Sequence, residues 1–248
     1  MKARLVQAAL LVGMYVSWVL FGIFGLALNV GCLPLLLLPR RPGISRRVRT
    51  VIRWLFDFWL RWFHASGVIR VTWRGFDAPL AAGTVYVANH PTLLDATFLL
   101  ARLPDAICIF KPSLRRNPAT GPAAIVAGYV DGDSGIDLIR DAAERVAAGC
   151  SLLVFPEGTR TQPGTVLGPL KPGFALVASR ARAPVQLIVI RASSDLVPRG
   201  RPWWRPPAAL PFRLELTLDR RWEYDPGRPT AVLTAEVGRR LSEVLAAS

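Results

Sequence analysis

Asn89-His90-Pro91-Thr92-Leu93-Leu94-Asp95 and, further along, Phe155-Pro156-Glu157-Gly158-Thr159-Arg160 decide how this chain reads. Each is entered from a short apolar run of strand character, Thr84–Ala88 for the first and Ser151–Phe155 for the second. A strand that ends in a polar turn and feeds a helix is the building unit of α/β sheets. Such sheets bind ligands just beyond the carboxyl ends of their strands. Both stretches therefore fall where chemistry is expected.

The rest of the carboxyl-terminal part repeats this alternation. Val68–Trp73, Ala106–Phe110, Val185–Ile190 and Phe212–Leu218 read as strands, rich in β-branched and aromatic residues. Thr92–Arg102, Asp137–Ala148, Gly173–Arg182 and Pro229–Ala247 read as helices, with Gly149 as a stop and Pro229 as a start. The expected fold is α/β, a central mixed sheet covered by helices, over residues 67–248. Arg199–Pro211, dense in Pro and Trp, reads as a loop that either touches lipid or covers the sheet.

Residues 1–66 form a different unit. No charged side chain occurs from Leu5 to Leu38. About 20 apolar residues suffice to cross a bilayer, so the stretch is long enough to span. It is also too long for the apolar core of a signal peptide, which favours an uncleaved anchor. Asn29, Gly31 and Pro34 interrupt its second half, so a bent or re-entrant pair is the other form it can take. Arg40, Arg41, Arg46, Arg47, Arg49 and Arg53 follow, with no acid before Asp57. Cationic flanks stay on the cytoplasmic side, which places the following domain there. Residues 46–65 then read as an amphipathic helix carrying Trp54, Phe56, Phe58, Trp59, Trp62 and Phe63 among its arginines. That mixture suits the headgroup layer, the alternative being an ordinary core helix. His64 at its end carries no assigned role.

The formal net charge of +14 calls for an anionic partner, nucleic acid or a membrane surface. The hydrophobic fraction of 52%, and the basic cluster beside the apolar arm, favour the membrane; no nucleic-acid partner is expected. Cys32, Cys108 and Cys150 make no paired framework and no Cys-x-x-Cys, so neither a disulfide scaffold nor a zinc site is expected.

With only two histidines in the chain, an imidazole base is nearly forced to be His90. A carboxylate on one ring nitrogen fixes the tautomer and stabilises the imidazolium, and the other nitrogen is then free to take a proton from a hydroxyl. His90 with Asp95 is thus the base-and-orienter half of a Ser-His-Asp triad, whose nucleophile can be a substrate alcohol. In the second stretch Gly158 permits close backbone approach, and Arg160 offers a fork for phosphate or carboxylate. Glu157 can orient that arginine or a ligand.

Together the two stretches resemble the signature of the bacterial glycerolipid acyltransferases of the lysophosphatidic-acid acyltransferase type, Asn-His-x-x-x-x-Asp followed by Phe-Pro-Glu-Gly-Thr-Arg. Lys111-Pro112-Ser113-Leu114 looks like the family's Lys-x-Glu-Leu segment and Ala183-Pro184-Val185 like its late Pro-Val strand, so the likeness runs from about Arg70 to Ile190. The resemblance implies transfer of a fatty acyl group from a thioester, acyl-CoA or acyl carrier protein, to a lyso-lipid hydroxyl. It implies His90 as base and Asp95 as orienter, with Lys111, Glu157, Gly158, Thr159 and Arg160 binding substrate. The thioester is a substrate, so no cofactor and no metal is implied. The implied location is the inner, cytoplasmic membrane, with membrane lipids as partners.

One block departs from the family. Its Gly-x-x-Phe-(Ile/Val)-Asp-Arg segment is replaced by Gly128-Tyr129-Val130-Asp131-Gly132-Asp133, without the arginine that helps hold the acceptor phosphate. A non-phosphate acceptor, or an inactive lipid-binding protein on the same fold, is therefore the alternative. Arg115, Arg116 and Lys171 are the residues able to supply the missing charge.

Overall fold

The computed structural model describes residues 2–39, 41–118, 120–132, 135–162, 164–192, 200, 202, 204–205 and 210–247. Its strands are β1 (Ile69–Arg74), β2 (Val85–Ala88), β3 (Ala106–Phe110), β4 (Val130–Asp131), β5 (Ser151–Val154), β6 (Val185–Ala192) and β7 (Phe212–Trp222). They form one sheet in the order β1-β7-β6-β2-β5-β3-β4. Neighbours from β6 to β4 are parallel, and β7 turns the sheet mixed by pairing antiparallel with β6 and parallel with β1.

The sheet is buried on both faces because alternate strand residues point to opposite sides. Tyr86, Leu153, Ile188 and Ile190 pack with Phe98 and Leu99 of α3 (Asp95–Leu100) and with Trp59 and Phe63 of α2 (Pro42–Ala65). Val85, Val87, Leu152 and Leu187 pack on the other face. There they meet α6 (Ile136–Ala147), α7 (Gly173–Ala181) and α8 (Thr230–Ala246). The chain leaving β2 crosses β5 to reach β3, whereas the chain leaving β5 crosses β2 to reach β6. The ends of β2 and β5 therefore flank a switch point, the place where sheets of this kind hold ligands.

Helix α1 (Lys2–Cys32) runs unbroken through Asn29 and Gly31, and a short 3-10 turn at Pro34–Leu37 follows it. Asn29 does not interrupt the helix as expected. Its amide donates back to Gly25 O at 2.8 Å, and its oxygen accepts Ala123 N–H at 2.9 Å, at the start of α5 (Gly121–Ala127). The helix is about 46 Å long at 1.5 Å per residue. One side of it lies on the domain: Met14 is buried, Ser17 O accepts the Trp59 indole N–H at 2.7 Å, and Cys32 is buried with Ile52 and Ala127. The other side exposes Val12, Val19, Ile23, Leu26 and Val30. Arg4–Leu37 is long and apolar enough to cross a membrane by length and composition, and only 11% of its most apolar window is buried.

Helix α2 divides its aromatics by spacing. Ile52, Phe56, Trp59 and Phe63 form the inner stripe, with Trp59 1% and Phe63 0% exposed. Trp54, Phe58 and Trp62 recur every fourth residue on the outer face, with Trp54 75% exposed. The helix is thus a core helix on one side and an apolar, arginine-flanked surface on the other.

Three elements were not anticipated: α4 (Pro112–Arg115), α5 and the two-residue strand β4. Helix α5 ends at Gly128, where φ is 78° and a Cβ would lie 2.6 Å from Nη1 of Arg145, so only glycine fits. Much of the loop Arg199–Pro211, and Asp133 of the altered block, lie outside the described residues.

Arg49 ties α2 to this scaffold. Its guanidinium is 7% exposed, donates to Asp105 at 2.7 Å and to Ala127 O at 2.7 Å. Asp105, at the entrance to β3, has φ 44°, a left-handed conformation that aspartate tolerates better than most residues. Removing one partner of a buried pair strands the other charge. We expect Arg49→Met to lose about 3 kcal/mol of stability, a drop of roughly 6–12 °C in the thermal midpoint. Arg61→Met, whose pair with Asp57 has its arginine 74% exposed, should leave the midpoint nearly unchanged. Equal midpoints for the two variants would remove Arg49 from this role.

Candidate active site

β2 ends at Ala88, and the next residues are fixed before any ligand arrives. The Asn89 side chain, 3% exposed, donates to Ile190 O and accepts from Ile190 N–H, both at 2.8 Å. It extends the β2–β6 ladder with a side-chain amide, so His90 leaves the sheet from a rigid point.

The imidazole of His90 is held on two sides. Nδ1 lies 2.8 Å from Oδ2 of Asp95, and the ring stacks on that of Phe155 with centroids 4.1 Å apart and planes at 18°. Nε2 has no hydrogen-bond partner among the described residues. The helix expected over Thr92–Arg102 is shorter: α3 starts at Asp95, and residues 91–94 form a turn instead. The reason lies in Asp95 itself. Its fully buried carboxylate reaches back to accept Thr92 N–H at 2.7 Å and the Thr92 hydroxyl at 2.6 Å, which closes a turn where helix would otherwise form. Burial pushes the Asp95 carboxyl above its ordinary value, against the opposing pull of the hydrogen bonds from His90 and Thr92. A poorly solvated carboxylate is a strong acceptor and favours the tautomer with the proton on Nδ1, which turns the Nε2 lone pair outward.

Glu157 is 6% exposed and faces inward. Oε1 accepts the backbone N–H of His90 and the hydroxyl of Thr161, each at 3.0 Å, and Oε2 accepts Gly168 N–H at 3.0 Å. Thr161 N–H returns to His90 O at 2.8 Å. Both carboxylate oxygens are thus committed within the protein, which makes Glu157 a clamp between the two sequence stretches. Gly158, with φ 69°, turns the chain at the surface, and Thr159 and Arg160 follow half-buried.

Lys111 stands at the end of β3, on the same edge of the sheet but two strands from β2. No hydrogen bond or ion pair ties its exposed side chain to His90, Glu157 or the turn. Beside it Arg115 forms an ion pair with Asp131 of the altered block, and both line a cleft with Tyr129, Asp141 and Arg145. Thr92, Phe155, Thr161 and Gly168 carry no expected role in the sequence, although all four hold the machinery. The pattern Thr-x-x-Asp, which places a hydroxyl three residues before a carboxylate, was the signal available for Thr92.

Residues 70–191 match the family model described as Acyltransferase. The chain resembles enzymes named 1-acyl-sn-glycerol-3-phosphate acyltransferase. Identity is 34% over 121 residues with a chloroplastic one from Brassica napus, covering 47% of this chain and 35% of the relative. With one from Helicobacter pylori it is 32% over 110 residues, covering 42% and 46%. The matches therefore span less than half the length of these relatives. The fold is also that of the crystal structure of the 1-acyl-sn-glycerophosphate (LPA) acyltransferase PlsC from Thermotoga maritima, which superposes with a TM-score of 0.72 at 19% identity, over 99% of this chain and 96% of that one.

If Glu157 clamps rather than binds a ligand, Glu157→Gln sets an amide NH2 against a backbone N–H. We expect a loss of about 1–3 kcal/mol in stability, read as a lower thermal midpoint. An unchanged midpoint would remove Glu157 from the clamping role.

Proposed function

We propose that this chain is a membrane-bound O-acyltransferase, moving a fatty acyl group from an acyl thioester on coenzyme A or acyl carrier protein to the hydroxyl of a lysophospholipid. The observation that carries this reading is the His90–Asp95 pair, 2.8 Å apart, with Nε2 uncommitted at the carboxyl edge of the sheet. In the first step Nε2 takes the proton of the acceptor hydroxyl as its oxygen bonds to the thioester carbonyl carbon. The tetrahedral adduct then collapses, the carbon–sulfur bond breaks, and the sulfur leaves with the proton from Nε2. The products are an ester and a free thiol, and the imidazole is regenerated. Asp95 keeps its charge throughout and steadies the imidazolium.

The membrane reading rests on the surface that α1 and α2 leave open. Val12, Val19, Ile23 and Leu26 of α1 are exposed, as are Trp54, Phe58 and Trp62 of α2. The exposed Arg41, Arg46, Arg47 and Arg53 lie on or beside α2. An apolar face rimmed by arginine and tryptophan matches a bilayer with its anionic headgroups, and each basic residue there adds about 1 kcal/mol of attraction. Because one side of α1 is packed on the domain, the helix lies bedded along the lipid boundary, on the cytoplasmic side of the inner membrane.

The test is an acyl-transfer assay in vesicles, supplying acyl-CoA and acyl carrier protein thioesters against lysophosphatidic acid and uncharged lyso-lipids. Wild type should release thiol and form ester. His90→Ala and Asp95→Asn should each lower kcat about 10²–10⁴-fold while keeping the fold. Full activity in His90→Ala would discard this mechanism, and an absence of His90-dependent turnover with every pair would favour a lipid-binding protein on the same fold.

A further inference from the structure

One corner of the sheet stays open on the face that α6, α7 and α8 otherwise cover. On β1 and the first half of β7, Ile69, Val71, Phe212, Leu214 and Leu216 point to the opposite face, the one shared with α2 and α3. The residues between them point the other way and are all polar: Arg70, Thr72 and Arg74 on β1, then Arg213, Glu215 and Thr217 on β7. Arg191 of β6 joins them, in register with Glu215. Arg70, Arg74 and Arg213 are exposed.

Four guanidiniums thus stand beside one acid. Glu215 is shared by Arg74, at 3.2 Å, and Arg191, at 3.7 Å. Arg191 also donates to Val244 O near the end of α8. Arg70 and Arg213 are register partners, side by side on adjoining strands, and like charges so placed repel. Arg70 makes no hydrogen bond or ion pair among the described residues. An anionic surface laid on this strip relieves the repulsion and meets guanidiniums that the strands hold at fixed spacing.

We propose that the strip docks the acidic surface of a soluble carrier protein that bears the acyl thioester; this rests on the acyl-transfer reading above and chooses between its two donors. A bilayer is the wrong occupant, because α1 and α2 pack on the opposite face of the sheet. The strip starts beside the site: β7 and β1 begin at the edge where β2 and β6 end, and β6 alone separates β7 from β2. From there it runs along β1 for about 13 Å and across three strands for about 10 Å. The phosphates of coenzyme A are gathered at its nucleotide, whereas a protein surface carries carboxylates far enough apart to meet both ends of the strip.

Two measurements on the full-length chain in detergent test this. In kinetics, Arg70→Glu should raise the KM for palmitoyl-acyl carrier protein on the order of tenfold, and Arg74→Gln several-fold, with the KM for palmitoyl-CoA changed far less. Arg70→Lys should stay close to wild type, as should Arg180→Glu, the same charge change on the exposed side of α7. In calorimetry, unacylated acyl carrier protein should bind wild type, weaken as salt is added, and bind Arg70→Glu at least several-fold more weakly. His90-dependent transfer with no selective effect of Arg70 or Arg74 overturns this inference and leaves the acyltransferase reading standing. A KM effect equal for both donors, or confined to palmitoyl-CoA, overturns it, as does an equal effect of Arg180→Glu. Duplex DNA that binds more tightly than the carrier protein, and is lost in Arg70→Glu, overturns it in favour of a nucleic acid. Arg70-dependent binding of the carrier protein without turnover supports the docking surface and removes the acyl-transfer reading.

Discussion

A single buried carboxylate, that of Glu157, holds the two halves of the site in register. It accepts the backbone N–H of His90 from the loop after β2, the hydroxyl of Thr161 from its own turn, and the N–H of Gly168 from the segment leading to α7. A buried carboxylate is unfavourable unless its lone pairs are filled, so these segments are compelled to meet around it. The position of the base and the shape of the turn follow from that requirement. The two sequence stretches lie far apart along the chain, and the parallel pairing of β2 with β5 brings their ends side by side.

Around this clamp the scaffold is stiff in a particular direction. Asn89 continues the ladder to Ile190 beyond the last strand residue, and Thr92 closes the turn onto Asp95. Arg49 and Asn29 secure α2 and α1 to the far part of the domain, near α5 and the entrance of β3. The apolar arm is therefore continuous with the domain core, sharing Met14, Trp59 and Phe63 with the strands. A displacement of α1 would therefore be felt by the sheet that carries the site.

Much of this was legible in sequence because the informative signals are local. β3 was expected with the bounds it has, and β5, β6 and α6 to within two residues, since short apolar runs between Gly and Pro signals leave little choice. His90, Asp95 and the glycine turn were legible from residue type and spacing. Two of the misses share a physical cause, side chains that bond to the backbone. Asp95 spends its carboxylate on Thr92 and so removes the first turn of the expected helix. Asn29, a helix breaker by propensity, is satisfied by Gly25 and Ala123 and leaves α1 intact. α4, α5 and β4 are too short to show a period. The inward role of Glu157 was hidden because no local pattern tells a carboxylate that binds a ligand from one saturated by distant N–H groups.

The stacking of His90 on Phe155 fixes which part of the ring faces outward. With one ring face packed on Phe155, centroids 4.1 Å apart, and Nδ1 held by Asp95, the imidazole is kept in one orientation about its Cβ–Cγ bond. Nε2 is then the ring nitrogen left to whatever enters the site, and the direction from which a partner can approach it is set by the protein before that partner arrives.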